Sequence, residues 1–190
     1  MEISAFLDKK LARRFRTYDN DGDGYIERED FELAAKRTGE EFGLAPDAPA
    51  RQRLTQLLLE LWQHLATVAD ADADGKISEA EYKAAFAAGL LETPESFDQG
   101  YVPFVEALMA VVDTDGDGKL TVDDHIRWTR ALLNLPEDVA REAHRRTDTD
   151  GDGYYTTREL LDSIHEFYFD EDPNSAGSWA LGSLEPTHTT

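Results

Sequence analysis

Four stretches of twelve residues constrain this chain more than anything else in it. They read DNDGDGYIERED at 19–30, DADADGKISEAE at 70–81, DTDGDGKLTVDD at 113–124 and DTDGDGYYTTRE at 148–159. Aligned on the first aspartate, all four carry Asp at positions 1, 3 and 5, Gly at 6 and an acid at 12. Position 8 is always apolar, as Ile26, Ile77, Leu120 and Tyr155. Two carboxylates about 4 Å apart repel by roughly 1–4 kcal/mol, depending on screening. A chain that gathers several of them on one short bend is built to fold around a cation.

The spacing says which kind of cation. A hard dication takes six to eight oxygens, and alternate residues of a curled loop point theirs inward. Position 1 is Asp19, Asp70, Asp113 and Asp148; position 3 is Asp21, Asp72, Asp115 and Asp150; position 5 is Asp23, Asp74, Asp117 and Asp152. Position 7 contributes a backbone carbonyl, so its side chain is free to vary as Tyr25, Lys76, Lys119 and Tyr154. Gly at 6 permits the sharp turn. The acid at 12 (Asp30, Glu81, Asp124, Glu159) reaches back from the first turn of an exiting helix. This is the EF-hand calcium loop, D-x-[DN]-x-[DN]-G-x5-E. A surface turn could match once by accident, but four copies flanked by amphipathic helices bind metal. Calcium is expected at up to four sites.

Bulk properties agree. The net charge is −21, from 40 acids against 19 bases, which repels nucleic-acid backbones and anionic membranes and leaves cations as the natural partners. Apolar residues at 41% and aromatics at 10% supply a core rather than a disordered chain. Without cysteine there is neither disulfide nor thiolate metal site. The N-terminal stretch places Ile3, Phe6, Leu7, Leu11, Phe15 and Tyr18 on one helix face, which reads as a working helix and not a signal peptide. A monomer located in the cytoplasm, with no membrane segment, is expected.

Apolar periodicity places incoming helices at 3–18, 52–68, 101–112 and 137–147, and exiting helices at 28–38, 79–89, 122–134 and 157–168. Gly and Pro positions at 39–49 and 89–103 mark connections, and Pro136 fits the first turn of the seventh helix. The fold class is therefore all-α, with short β-pairing between loops. Loop starts lie 51, 43 and 35 residues apart. Hands one and two form a lobe over 1–90, and hands three and four a second over 91–169. The tail, 170–190, is too rich in Pro, Gly and Ser for a helix. Trp179, Leu181 and Leu184 are expected to dock it between the lobes, with EPTHTT fraying at the end.

From LARRFRTYDNDGDGYIERED to ELLDSIHEFYFD, the chain resembles the sarcoplasmic calcium-binding proteins and their bacterial calerythrin-like relatives. The resemblance implies two lobes packed into one compact globule and no enzymatic activity. Some members carry a degenerate loop, whereas no loop here fails on ligand identity.

Asp30 and Asp124 are one methylene shorter than Glu81 and Glu159. A single-oxygen contact at position 12 lowers coordination towards six, which suits magnesium. Loops two and four are expected to be calcium-specific; the loops starting at Asp19 and Asp113 are expected to be weaker or Mg-tolerant. Glu27, ninth in loop one, is a compensating carboxylate candidate. Sensors open a Met-rich groove, and this chain has two methionines, Met1 and Met109. A calcium buffer is therefore the leading expectation and a sensor with a protein target the alternative. The tail HEFYFDEDPNSAGSWALGSL also resembles that of coelenterazine-binding proteins, whose fold encloses an apolar cavity. His64 near Trp62, His125 near Trp128 and His165 near Tyr168 would suit such a carrier.

Overall fold

The computed structural model describes residues 3–94 and 96–184. Its elements run α1 (Ala5–Tyr18), β1 (Tyr25–Ile26), α2 (Arg28–Glu41), α3 (Pro49–Ala69), β2 (Ile77–Ser78) and α4 (Glu79–Ala87). They continue α5 (Phe97–Val112), β3 (Lys119–Leu120), α6 (Val122–Leu133), α7 (Glu137–Thr147), β4 (Tyr155–Thr156) and α8 (Thr157–Phe169), then a 3-10 turn at Gly177–Trp179. Each acidic loop joins an incoming helix to an exiting one, in the all-α class that the repeats require.

The exiting helices share one way of starting. Position 9 is the N-cap and position 12 the third helical residue. The hydroxyls of Ser78, Thr121 and Thr156 accept the position-12 amide, and the position-12 acid accepts the cap amide in return. The acid that faces the loop therefore also starts the helix. Strands β1 and β2 pair antiparallel with Ile26 opposite Ile77, and β3 and β4 with Leu120 opposite Tyr155. All four of these apolar side chains are buried, which is why position 8 is never polar.

Several boundaries differ from the sequence reading, among them the end of α2, which runs on to Glu41 instead of 38. Helix α3 starts at Pro49, where a ring that fixes φ suits the first turn. Helix α5 starts at Phe97, four residues ahead of the expected 101, and runs through Pro103, so 97–100 is helix rather than connection. The missing N–H deprives the Gln99 carbonyl of its helical partner, and burial of Val105, Leu108 and Val112 holds the helix regardless. Pro136 is the N-cap of α7, one place ahead of its first turn.

A single hydrophobic core spans both lobes, from Leu11 and Phe15 to Leu132 and Phe167. Across it α2 packs on α6, α3 on α5 and α1 on α8. Polar ties close the seam. Glu41, at the end of α2, receives Arg127 Nε at 3.0 Å and Arg130 Nη2 at 3.1 Å. Lys10, buried on α1, donates to the carbonyls of Glu166 and Asp170 at the end of α8, the end of the helix dipole that favours a cation. After residue 170 the chain lies on α7 and α8, where Arg146 stacks over Trp179 at 3.6 Å, and Arg13 Nε of α1 donates to the Leu181 carbonyl at 2.6 Å. Residues 185–190, including the EPTHTT expected to fray, lie outside the described residues. Among the described residues no helix is long and apolar enough to cross a membrane.

Candidate metal centres

In each loop the fold brings three carboxylates together, with one oxygen of each within 4.8 Å of the others. The groups are Asp19, Asp21 and Asp30; Asp70, Asp72 and Glu81; Asp113, Asp115 and Asp117; and Asp148, Asp150 and Glu159. The fifth-position acids Asp23, Asp74 and Asp152 stand outside these groups, and so does Asp124. Tyr25 and Tyr154 turn their side chains to solvent.

Backbone amides hold the position-1 carboxylates in place. Gly24, Gly75, Gly118 and Gly153, at the sixth positions, donate to Asp19, Asp70, Asp113 and Asp148 at 3.0, 3.1, 2.9 and 3.0 Å. The fourth position also needs a left-handed backbone. Gly22, Gly116 and Gly151 supply it without strain, but loop two carries Ala73 there at φ 59°.

The twelfth residues divide in an unexpected way. One oxygen of Glu81 accepts the Ala71 amide at 3.1 Å, and one of Glu159 accepts the Thr149 amide at 3.2 Å, each closing the acid over the second residue of its loop. Asp30 does the same despite its shorter reach, accepting the Asn20 amide at 2.8 Å and the Asp21 amide at 3.2 Å. The loop comes to the acid. Asn20 is buried, its side chain bonded to the carbonyls of Thr17, Tyr18 and Leu132, and Arg37 of α2 holds its carbonyl. In loop three the second residue, Thr114, is exposed, and Asp124 bonds only to Thr121, with Arg127 Nη1 at 3.8 Å.

Burial pushes the Asp30 and Asp19 carboxyls above their usual range, against the amides that donate to them. The Ser78 hydroxyl and amide hold Glu81 below it. For Glu159 burial works upward, but hydrogen bonds from Thr156 and Thr149 outweigh it and the net direction is down. Every donor gathered is a hard oxygen, with neither nitrogen nor sulfur, and that set fits calcium or magnesium rather than a softer metal.

Some side chains play parts that their sequence positions did not announce. Glu27 does not join the loop-one group; it pairs with Lys76 from loop two. Asn20 and Arg37 shape loop one from outside the motif. Of the three histidine–aromatic pairs, only His125–Trp128 forms, edge to face at 5.3 Å. His64 is exposed, and His165 packs on Phe97 and Phe169 instead.

Residues 8–87 match the family model for an EF-hand domain pair, and 105–124 match that for an EF hand. The chain is 31% identical over 167 residues to calerythrin of Saccharopolyspora erythraea, across 87% of this chain and 94% of that protein. It is similar to the structure of a Streptomyces coelicolor calcium-binding protein described as a basis for prokaryotic calcium-mediated regulation. That match has 36% identity and a TM-score of 0.74, covering 93% of this chain and 99% of the other. Calcium-loaded apo coelenterazine-binding protein from Renilla muelleri shares the fold at 23% identity and a TM-score of 0.69, over 94% of this chain and 96% of that one.

Proposed function

The chain belongs to the calerythrin family of EF-hand calcium-binding proteins, which are not enzymes, and from that premise we propose that it works as a calcium buffer. Four candidate sites are present. Their ligands are the acids at positions 1, 3, 5 and 12 and the backbone carbonyls of Tyr25, Lys76, Lys119 and Tyr154. Loops two and four take calcium selectively. Loop three, whose Asp124 stands apart, is the weakest and the most tolerant of magnesium; loop one, pre-closed by Asp30, lies between.

The observation that carries the buffer reading is where the apolar faces go. A sensor holds such a face in reserve for a target, whereas here α2, α3 and α1 spend theirs on α6, α5 and α8. Met109 is buried, and among the described residues the exposed large apolar side chains are Tyr25, Leu90 and Tyr154, scattered singly. Four calcium ions carry the formal charge from −21 to −13, so filling the loops favours compaction of the same packed globule. The test is calcium titration followed by apolar-dye binding and small-angle scattering. A buffer keeps or loses dye-binding surface as calcium rises; a gain in dye binding with expansion would establish the sensor.

A ligand-carrier role finds less support. The cavity between the lobes, bordered by His125, Trp128 and Tyr155, has about 60 Å³, room for a few waters and well below the roughly 300–1,000 Å³ of small-molecule sites. A cleft of about 480 Å³ between α3 and α5 is larger and has apolar walls that include Leu57, Leu61, Leu65 and Phe104, with Arg53, Glu60, His64 and Glu92 also lining it. Saturable, calcium-dependent uptake of an apolar dye there would revive the carrier.

A further inference from the structure

In each lobe one lysine crosses from its own loop to the partner loop. Lys76, seventh in loop two, pairs with Glu27 and, at 3.8 Å, with Asp23, the ninth and fifth residues of loop one. Lys119, seventh in loop three, pairs with Asp152, the fifth residue of loop four, at 2.8 Å. Each ammonium passes over the aromatic ring at the partner's seventh position, Tyr25 at 5.1 Å and Tyr154 at 4.9 Å. Strand register delivers this geometry: Lys119 stands directly opposite Thr156, the ninth residue of loop four. The same device therefore appears twice in one chain, once serving the earlier loop of a pair and once the later.

We propose that Lys76 and Lys119 are built-in counter-ions to the partner loop, Lys119 seated on Asp152 and Lys76 on Glu27 beside Asp23, until calcium displaces them, and so set the affinity of loops one and four. Two details support displacement over mere proximity. Asp152 Oδ1 accepts the Tyr154 amide at 2.9 Å, as the other fifth-position aspartates accept theirs, but Oδ2 carries the Lys119 ammonium, so a cation that uses this carboxylate competes with a positive charge already on it. Asp23 and Asp152 lie outside the three-carboxylate groups, whereas Asp117, which no lysine reaches, lies inside its own. Asp74 also lies outside with no lysine on it, so the ammonium is one of the forces that turn this side chain. One positive charge eases the mutual repulsion of empty loops, and a doubly charged ion replaces it at a cost. Because each lysine belongs to the partner loop, its position ties the electrostatics of the two sites of a pair together.

The inference rests on the reading of the loops as calcium sites. It is tested with Lys76→Met and Lys119→Met, which keep an unbranched stem over the ring, beside Lys76→Arg and Lys119→Arg, which keep the charge. Calorimetric calcium titration gives affinities. The amide resonances of Gly24 and Gly153, each bonded to the first aspartate of its loop, report loops one and four separately. The methionine variants should bind calcium about two- to fivefold more tightly at the partner loop, the scale of an exposed ion pair. The gain should shrink as salt screens the charge, and the arginine variants should resemble the parent. Unchanged or weaker binding at loops one and four in the methionine variants overturns the proposal, as does an arginine variant that behaves like methionine. A parent that binds no calcium in any loop removes the site reading and this inference together.

Discussion

Asp30 accepts the Asn20 amide at 2.8 Å, the same closure that the longer Glu81 and Glu159 make in loops two and four. Chain length at position 12 is thus not the whole of reach, because the loop can be drawn in from behind. Asp124 has no such help: it bonds to Thr121, and no buried second residue like Asn20 draws the loop towards it. Asp124→Glu is therefore expected to raise calcium affinity at loop three by about tenfold, equivalent to roughly 1.4 kcal/mol. Asp30→Glu forces a methylene into a buried, already satisfied position and should cost about 1–3 kcal/mol of stability without a gain in affinity. Calorimetric titration and thermal melts of the two variants check this pair of outcomes.

Loop two stores a local strain. Ala73 holds φ 59° where the other loops place glycine, and a left-handed residue with a Cβ costs roughly 1–2 kcal/mol. Glycine also gives the unfolded chain more freedom. Ala73→Gly should then gain a net of about 0.5–1 kcal/mol and raise the melting temperature of the metal-free protein by about 1–4 °C. Scanning calorimetry in chelator would read it; a lower melting temperature would place the strain elsewhere.

Much of this was legible in the sequence, for a physical reason. The ion's demand for oxygens fixes residue type at alternate positions, and position 8 must be apolar because two strands pair over the core. Helix existence followed from the apolar faces, as Leu7, Leu11, Phe15 and Tyr18 illustrate. The difference between Asp30 and Asp124 was not legible. It depends on the bond from Asn20 to the Leu132 carbonyl, 112 residues away, and on how α2 meets α6. The start of α5 was missed because Gly100 weakens the local helix signal over 97–100, a tendency that burial of Phe97 overrides. Lys76 and Lys119 looked like free seventh-position side chains, since their partners emerge only when two loops are set in register.

The tail contributes through Trp179, over which Arg146 stacks at 3.6 Å. A half-buried cation–π contact and the covered ring area together are worth about 1–2 kcal/mol. Trp179→Ala is expected to lose that much in urea unfolding, and Trp179→Phe distinctly less. No change in the alanine variant would mean that the tail is a passenger.

Alkaline pH should unfold the protein through its buried phenols. Burial pushes Tyr82 and Tyr168 well above the ordinary phenol value and Tyr155 up to about 12. The fold thus retains these protons more tightly than the unfolded chain, whose phenols titrate near about 10. Their stabilisation is complete below that value and is lost as pH rises through it towards about 12. Tyrosinate absorbance from these rings and loss of helical circular dichroism should rise together. Ionisation of all seven tyrosines with the helices intact would contradict the assignment.

The most direct measurement is equilibrium dialysis of the purified chain against calcium, with the bound metal counted per chain. Clustered carboxylates on four bends of this kind should retain four ions, and chelation should lower the melting temperature. A chain that holds neither calcium nor magnesium at millimolar concentration, and melts unchanged in chelator, would contradict the account.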